Sequence, residues 1–221
     1  MSAPASLPAA PAEPFGATEF DAAANVSRET LARLSAYVEL LCRWNPKINL
    51  VGHATLKEVW RRHILDSAQL IEHIPASSRI LVDLGSGAGL PGLILAILGI
   101  PETHLVESDQ RKCAFLREAA CVTQTKVTIQ PHRIENIAPI AADIVTARAL
   151  APLTKLLEWA APFIASHTIC LFPKGKSLED ELTEARRAWI MKTQKLASQS
   201  DEASYILRVE ELSHAPDGLP K

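Results

Sequence analysis

Hydrophobic positions recur along this chain with two rhythms, and the change between them falls near residue 79. Before it, Leu31, Leu34, Val38, Leu41 and Trp44 stand at helical spacing and predict a helix over 27–45. Ser27 is its candidate cap, and Glu29 and Arg33 form an i,i+4 pair on its surface. Pro46 ends this helix or opens a new turn. A second helix is predicted over 55–73, burying Val59, Ile64, Leu65 and Ile71. Residues 27–76 thus read as a helical cap packed on a main domain.

From Arg79 onward, short apolar runs alternate with helical segments. Strands are predicted at 79–84, 103–107, 126–130, 143–148 and 168–173. Helices are predicted at 91–98, opened by Pro91, from Asp109 as a cap, at 152–165, and at 177–191 with Ser177 as cap. Strands alternating with helices imply an α/β domain over 77–213 with a mostly parallel sheet covered on both faces. Segments 193–199 and 204–212 add an antiparallel hairpin. Residues 1–14 hold four prolines and five alanines and have little to bury; 1–26 read as a flexible tail and 214–221 as a C-terminal one.

Composition changes this picture in three places. Lys and Arg number 23 against 25 Asp and Glu, a net charge of −2, so nucleic-acid binding by bulk charge is excluded and any such binding needs a local basic patch. The four cysteines, Cys42, Cys113, Cys121 and Cys170, form no C-x-x-C pair, which argues against a metal site and for free thiols in a reducing compartment. The longest apolar stretch, Leu90 to Ile100, is too short for a membrane span, and the N-terminus lacks a signal peptide, so the expected location is the cytoplasm.

The chemistry starts at Val82-Asp83-Leu84-Gly85-Ser86-Gly87-Ala88-Gly89-Leu90, between a predicted strand and a predicted helix. In a doubly wound sheet, ligands bind beyond the carboxyl ends of the strands. Gly85 and Gly87 permit a tight turn and close approach of backbone to ligand. A dinucleotide fingerprint G-x-G-x-x-G needs glycine where Leu90 stands, which disfavours a nicotinamide oxidoreductase. The observed G-x-G-x-G, with Asp83 two residues ahead, is the loop usual in S-adenosylmethionine (SAM) methyltransferases. Glu107 closes the next predicted strand, where a carboxylate accepts hydrogen bonds from both hydroxyls of a ribose.

Seven blocks then occur in order: WNPKINLVG (44–52), RRHILDS (61–67), DLGSGAGLPG (83–92), ESDQRKCAFL (107–116), RIE (133–135), TARAL (146–150) and FPKGK (172–176). Together they resemble the RsmG (GidB) family of small-subunit rRNA guanine-N7 methyltransferases, over roughly residues 27–212. The resemblance implies a Rossmann-like class I SAM-dependent methyltransferase with a mostly parallel seven-stranded sheet and an N-terminal helical cap. It implies methyl transfer to N7 of a guanosine in the decoding-region loop of 16S rRNA. It also implies that Asp83, Gly85, Gly87, Gly89 and Leu90 surround SAM, that Glu107 holds its ribose, and that Ile134 and Glu135 border its adenine. Arg148 matches the family's binding-site arginine, and His63, Asp66 and Ser67 fall in a block expected at the lid of the pocket. Arg-Ile-Glu stands where Arg-Ala-Glu is common, a departure that leaves a backbone contact intact.

Guanine N7 carries a lone pair and no proton, so no general base is expected; Asp66 is the candidate carboxylate near the cationic product. The sequence has no Asn/Asp-Pro-Pro-Tyr motif and no Pro-Cys dipeptide, and Cys170 reads as packing in an apolar strand. Arg148 has two candidate partners, the SAM carboxylate and an RNA phosphate. Arg43, Lys47, Arg61, Arg62, Lys174 and Lys176 are the candidate RNA contacts, with Trp44 and Trp60 either stacking on bases or belonging to the core. The expected partner is 16S rRNA within the small subunit or an assembly intermediate, met by a monomer. Another RNA substrate, or a non-catalytic RNA-binding module on the same fold, remains the alternative.

Overall fold

The computed structural model describes residues 15–215. Its centre is a sheet of seven strands: β1 (Ile80–Leu84), β2 (Glu102–Val106), β3 (Thr128–Gln130), β4 (Ala142–Thr146), β5 (Ile164–Lys174), β6 (Trp189–Ala197) and β7 (Tyr205–His214). They lie in the order β3-β2-β1-β4-β5-β7-β6. The first five are parallel, with Asp83 opposite Leu105 on one side and Thr146 on the other, while β7 runs antiparallel to both β5 and β6. The direction of winding reverses at β1, flanked by β2 and β4, and the crevice at its carboxyl end is where such sheets bind ligands.

The central parallel strands β1 and β4 are buried on both faces along most of their length, whereas β3 at the sheet edge is only half-buried. On one face, Val82, Leu84 and Val106 pack under α6 (Leu153–Ala160) and α7 (Leu178–Ala185). On the other, Leu105 meets α4 (Gly92–Ile97) and α5 (Gln110–Val122), and the N-terminal helices close over them. Asp109 caps α5, accepting from the amides of Arg111 and Lys112.

The N-terminal region corrects three expectations. Residues 17–24, expected in a flexible tail, form helix α1 (Ala17–Ala24), because Phe20 is fully buried against Trp60. The remaining tail positions, 1–14 and 216–221, lie outside the described residues. Helix α2 (Arg28–Ile48) does not stop at Pro46 but carries it inside its last turn; Ser27 caps it through the Thr30 amide, and Glu29 pairs with Arg33. Beyond it, Asn45 bonds both the amide and the carbonyl of Val51 and so closes the turn.

The single helix expected over 55–73 is four unlike pieces: 3-10 turns at His53–Glu58 and Gln69–His73, a wider π turn at Trp60–Leu65, and one α turn, α3 (Asp66–Ala68), between them. Of its apolar positions Val59, Ile64 and Leu65 are buried as expected, and Ile71 is half-buried against the core. The polar positions between them are bent towards the end of the sheet. Downstream, α7 stops well short of residue 191, because Trp189 is drawn into the core as the first residue of β6.

Candidate active site

The backbone leaves β1 and folds back through Gly85 and Gly87 at φ +64° and +56°, a conformation glycine adopts without steric cost. The turn is held on the next strand: the Ser86 amide donates to the Val106 carbonyl (2.9 Å) and the Gly87 amide to Glu107 Oε2 (2.9 Å). Glu107 Oε1 accepts from the Asp109 amide (2.8 Å). A Cβ on Gly87 would meet nothing nearer than the Gly85 carbonyl at 3.8 Å, so this bend opens onto free space. Gly92 is the reverse case. A Cβ there would lie 2.5 Å from Asp83 Cβ and 2.7 Å from Leu105 Cδ2, so α4 approaches the sheet as closely as it does only because Gly92 has no side chain. Helix α2 is fastened to the same turn by the Tyr37 hydroxyl, which donates to the Ala88 carbonyl (2.6 Å).

Facing the turn is a wall of side chains. Arg148 follows β4, and its guanidinium donates to Asp66 Oδ2 (3.1 Å), to the Arg62 carbonyl (3.2 Å) and to His63 Nδ1 (3.2 Å). Asp66 Oδ1 accepts in turn from the Ser200 hydroxyl (2.6 Å) and from Gln69 (3.2 Å). Ser200 lies in the turn between β6 and β7, and the same turn is bound to the cap by Arg61 on the Ser200 carbonyl (3.1 Å) and by an Arg62–Asp201 ion pair (2.7 Å). Strand β4, the cap and the terminal hairpin therefore meet at Asp66.

Three cavities open at the carboxyl end of the sheet. The first, about 430 Å³, lies between the glycine turn and the cap wall; the second, about 270 Å³, lies over Glu107, Ile134, Glu135 and Trp159. The two share Gly85, Lys112 and Ala149. The third, about 550 Å³, lies over the ends of β4 and β5 and shares Arg62, Asp66, Arg148, Ala149 and Ser204 with the first.

Residues 30–204 match the family GidB, described as rRNA small subunit methyltransferase G. The protein named ribosomal RNA small subunit methyltransferase G from Rhodospirillum centenum is 54% identical over 209 residues, which cover 95% of this chain and 96% of that protein. The chain belongs to the GidB family. A GidB relative of the same name from Paramagnetospirillum magneticum is 52% identical over 199 residues, covering 90% of this chain and 97% of its own length. Among solved structures, a ribosomal protein L11 methylase from Lactobacillus delbrueckii subsp. bulgaricus resembles it with TM-score 0.56 at 14% identity, over 72% of this chain and 79% of that one. The glycopeptide N-methyltransferase MtfA, solved with SAM, also gives 0.56 at 11% identity, over 67% of this chain and 93% of that one. These likenesses establish the fold of the class I SAM-dependent methyltransferases, as the resemblance of the sequence implied.

The residues that the GidB resemblance singled out divide into three groups. Gly85, Gly87 and Leu90 line the first cavity, Gly85, Glu107, Ile134 and Glu135 the second, and Arg148 the first and third. Asp83 and Gly89 line none of the three. Asp83 is fully buried beneath the turn: Thr146 donates to its Oδ1 (2.7 Å), its Oδ2 has no partner, and burial raises its pKa to about 6. Gly89 faces Leu93 rather than open space. His63 and Asp66 border the first cavity while Ser67 is buried behind them. Asp66, the candidate for product charge, borders the first cavity and accepts from Arg148, Ser200 and Gln69, so it also organises the wall.

Of the candidate RNA contacts, Arg43, Lys47 and Lys176 are exposed, and Arg62 lines two cavities. Lys174 is instead tied to Glu181 (2.7 Å) and to the Ala151 carbonyl (3.3 Å), with little of its side chain in solvent. Trp44 and Trp60 pack on Phe115 and Phe20, within the core. Sequence reasoning did not single out Lys112, Ala149 (φ +51°), Ser200, Asp201 or Ser204. Ala149 lies in the TARAL block and Lys112 in ESDQRKCAFL, so a signal was there for both. The hairpin turn carries no local motif and reaches the site only through tertiary packing.

Proposed function

We propose that this chain transfers the methyl group of SAM to N7 of a guanosine in the decoding-region loop of 16S rRNA. The observation that carries the reading is the bare backbone turn at Gly85–Gly87, opening beside a carboxylate on the adjacent strand end. The fit to SAM is chemical as well as spatial. The two backbone amides on Glu107 take one site on each oxygen, and a carboxylate offers about four in all, which leaves acceptors for the two ribose hydroxyls. When bound, SAM supplies an electrophilic methyl group on a sulfonium sulfur. The Gly85–Gly87 turn admits it closely, Ile134 and Glu135 border its base, and Arg148 meets an anionic group of SAM or of the RNA.

Guanine N7 needs no deprotonation, so the protein's task is to hold the two reactants aligned and to exclude water. Alignment of this kind lowers a barrier by at most about 7–11 kcal/mol. Exposed Arg43, Lys47 and Lys176 supply positive charge for phosphates in a chain whose net charge is −2. That near-neutral balance favours a substrate read by shape in a folded particle, the small subunit or an assembly intermediate. The proposed acting form is a monomer. No helix of the described residues is long and apolar enough to cross a membrane. The proposed site of action is the cytoplasm, where an rRNA substrate is met. Residues 27–76 act as the cap and 77–213 as the methyltransferase domain.

The decisive experiment maps methyl groups on rRNA from cells lacking the gene. Loss of one N7-methylguanosine from 16S rRNA, restored by the gene, is expected; its persistence overturns the assignment, and loss of a methyl from another RNA names a different substrate. Gly85→Val places a β-branched residue at φ +64° with its Cβ 2.4 Å from Leu150 Cδ1, and is expected to abolish SAM binding. Full activity in that variant would remove the turn from the site.

A further inference from the structure

His63 has no part in the reading above, yet its surroundings are fully specified. It is 7% exposed and sits in the wide turn at Trp60–Leu65, with Nδ1 at 3.2 Å from both terminal nitrogens of Arg148. A guanidinium has only donors, so Nδ1 is the acceptor and carries no proton. The proton is then on Nε2, which donates to Thr55 Oγ1 (2.8 Å), and the Thr55 hydroxyl donates to the Gly52 carbonyl (2.7 Å). The imidazole and threonine hydrogens each have one acceptor, and the chain ends on backbone, which fixes both the tautomer and the ring. Burial, with the charges of Arg148 and Arg62, pushes the imidazole pKa down to about 3, in keeping with a neutral ring.

We propose that His63 is a positioning residue for methyl transfer, its Nδ1 lone pair orienting the Arg148 guanidinium at the junction of the 430 Å³ and 550 Å³ cavities. The inference rests on the proposed function, in which Arg148 meets an anionic group of SAM or of the RNA. Asp66 and the Arg62 carbonyl both hold Arg148 through Nη1, which leaves Nη2 free to swing about that nitrogen. An acceptor touching both terminal nitrogens removes that freedom. The acceptor must also be neutral. Asp66 already offsets the guanidinium charge, and a second carboxylate would cancel its pull on an anionic ligand group. A neutral imidazole gives direction without taking charge.

The test is a double-mutant cycle of His63→Leu and Arg148→Met, with His63→Asn as the conservative variant. Each protein is assayed for methylation of small subunits that lack the modification, for SAM affinity by calorimetry, and for melting temperature. His63→Leu is expected to lower kcat/KM by on the order of 10–100-fold, as loss of a residue that orients a binding group does elsewhere. His63→Asn, whose side-chain oxygen takes the place of Nδ1, restores most of that loss. In the Arg148→Met background, His63→Leu costs almost nothing more. Weakened SAM affinity identifies the ligand group as the SAM carboxylate; a raised KM for subunits alone identifies an RNA phosphate. Both results support the proposal. Equal losses from His63→Leu in the two backgrounds, or no rescue by asparagine in a variant that melts like the parent, overturn it while leaving the function standing. A parent protein that neither binds SAM nor methylates rRNA overturns both.

Discussion

Gly85–Leu90 and His63–Asp66 face each other across the same cavity and are made of different material. The first wall is backbone, bent by glycines and bonded to the edge of a sheet. The second is side chains, carried on a segment with no regular helical pitch and joined to one another by hydrogen bonds. The backbone wall depends on what is absent, since a Cβ at Gly87 would stand in the open space of the bend and one at Gly85 would run into Leu150. The side-chain wall depends on chemical type, since each donor there has a named acceptor. Substitutions should therefore act through volume on one side and through lost polar partners on the other.

That contrast breaks most readily at Gly92. Gly92→Val drives a branched side chain into Asp83 and Leu105, neither of which can move without its strand, and is expected to cost about 3 kcal/mol or more in urea unfolding. A cost below about 1 kcal/mol would mean that α4 slides freely on the sheet. On the other wall, Asp66→Ala adds no volume but strands Arg148, Ser200 and Gln69, whose contacts are half-sheltered from solvent; a loss of about 2 kcal/mol is expected, with methylation falling alongside. Retained activity there would show that Arg148 is held well enough without it. Tyr37→Phe removes the one buried hydroxyl that links helix α2 to the glycine turn and should cost about 1 kcal/mol. Its effect on SAM affinity, read by calorimetry, tells whether the backbone wall needs outside support.

The smallest net effect is that of pH on the parent, because two buried groups oppose each other. His63 has its folded pKa lowered from 6.5 to about 3, so between these values the unfolded chain binds the extra proton and stability falls as pH drops below about 6.5. Asp83 acts in the opposite sense: its raised pKa lets the folded chain take up a proton first, adding stability as pH falls from about 6 towards 3.8. Melting curves at pH 7 and pH 4.5 should show His63→Asn losing less stability on acidification than the parent. An unchanged loss would place the acid sensitivity elsewhere.

The sheet was legible because its central strands β1 and β4 are largely buried and read as apolar runs, and because β-rich segments alternate with capped helices on either side of them. The glycine turn was legible for a related reason: its work is done by residue types that local sequence displays. The cap was half legible. Val59, Ile64 and Leu65 were correctly placed inside, but a helical stripe says which residues are buried and not whether the pitch stays constant, so the wide turn that aims His63 at Arg148 went unseen. Asp83 was overread, since an acid at a strand end looks the same from the sequence whether it faces a ligand or sinks under a glycine. Phe20 shows the opposite failure: one aromatic among alanines was enough to order α1.

Ser200 reaches back 134 residues to Asp66, and Gln199 reaches back to Gln69 and Glu72. The hairpin of β6 and β7 is therefore the latch that shuts a chamber whose floor lies far earlier in the sequence. The same hairpin completes the core, since Ile206, Leu207 and Val209 of β7 are buried between β5 and β6. Enclosing the chamber and finishing the sheet are thus a single event, reached only when β7 pairs with β5.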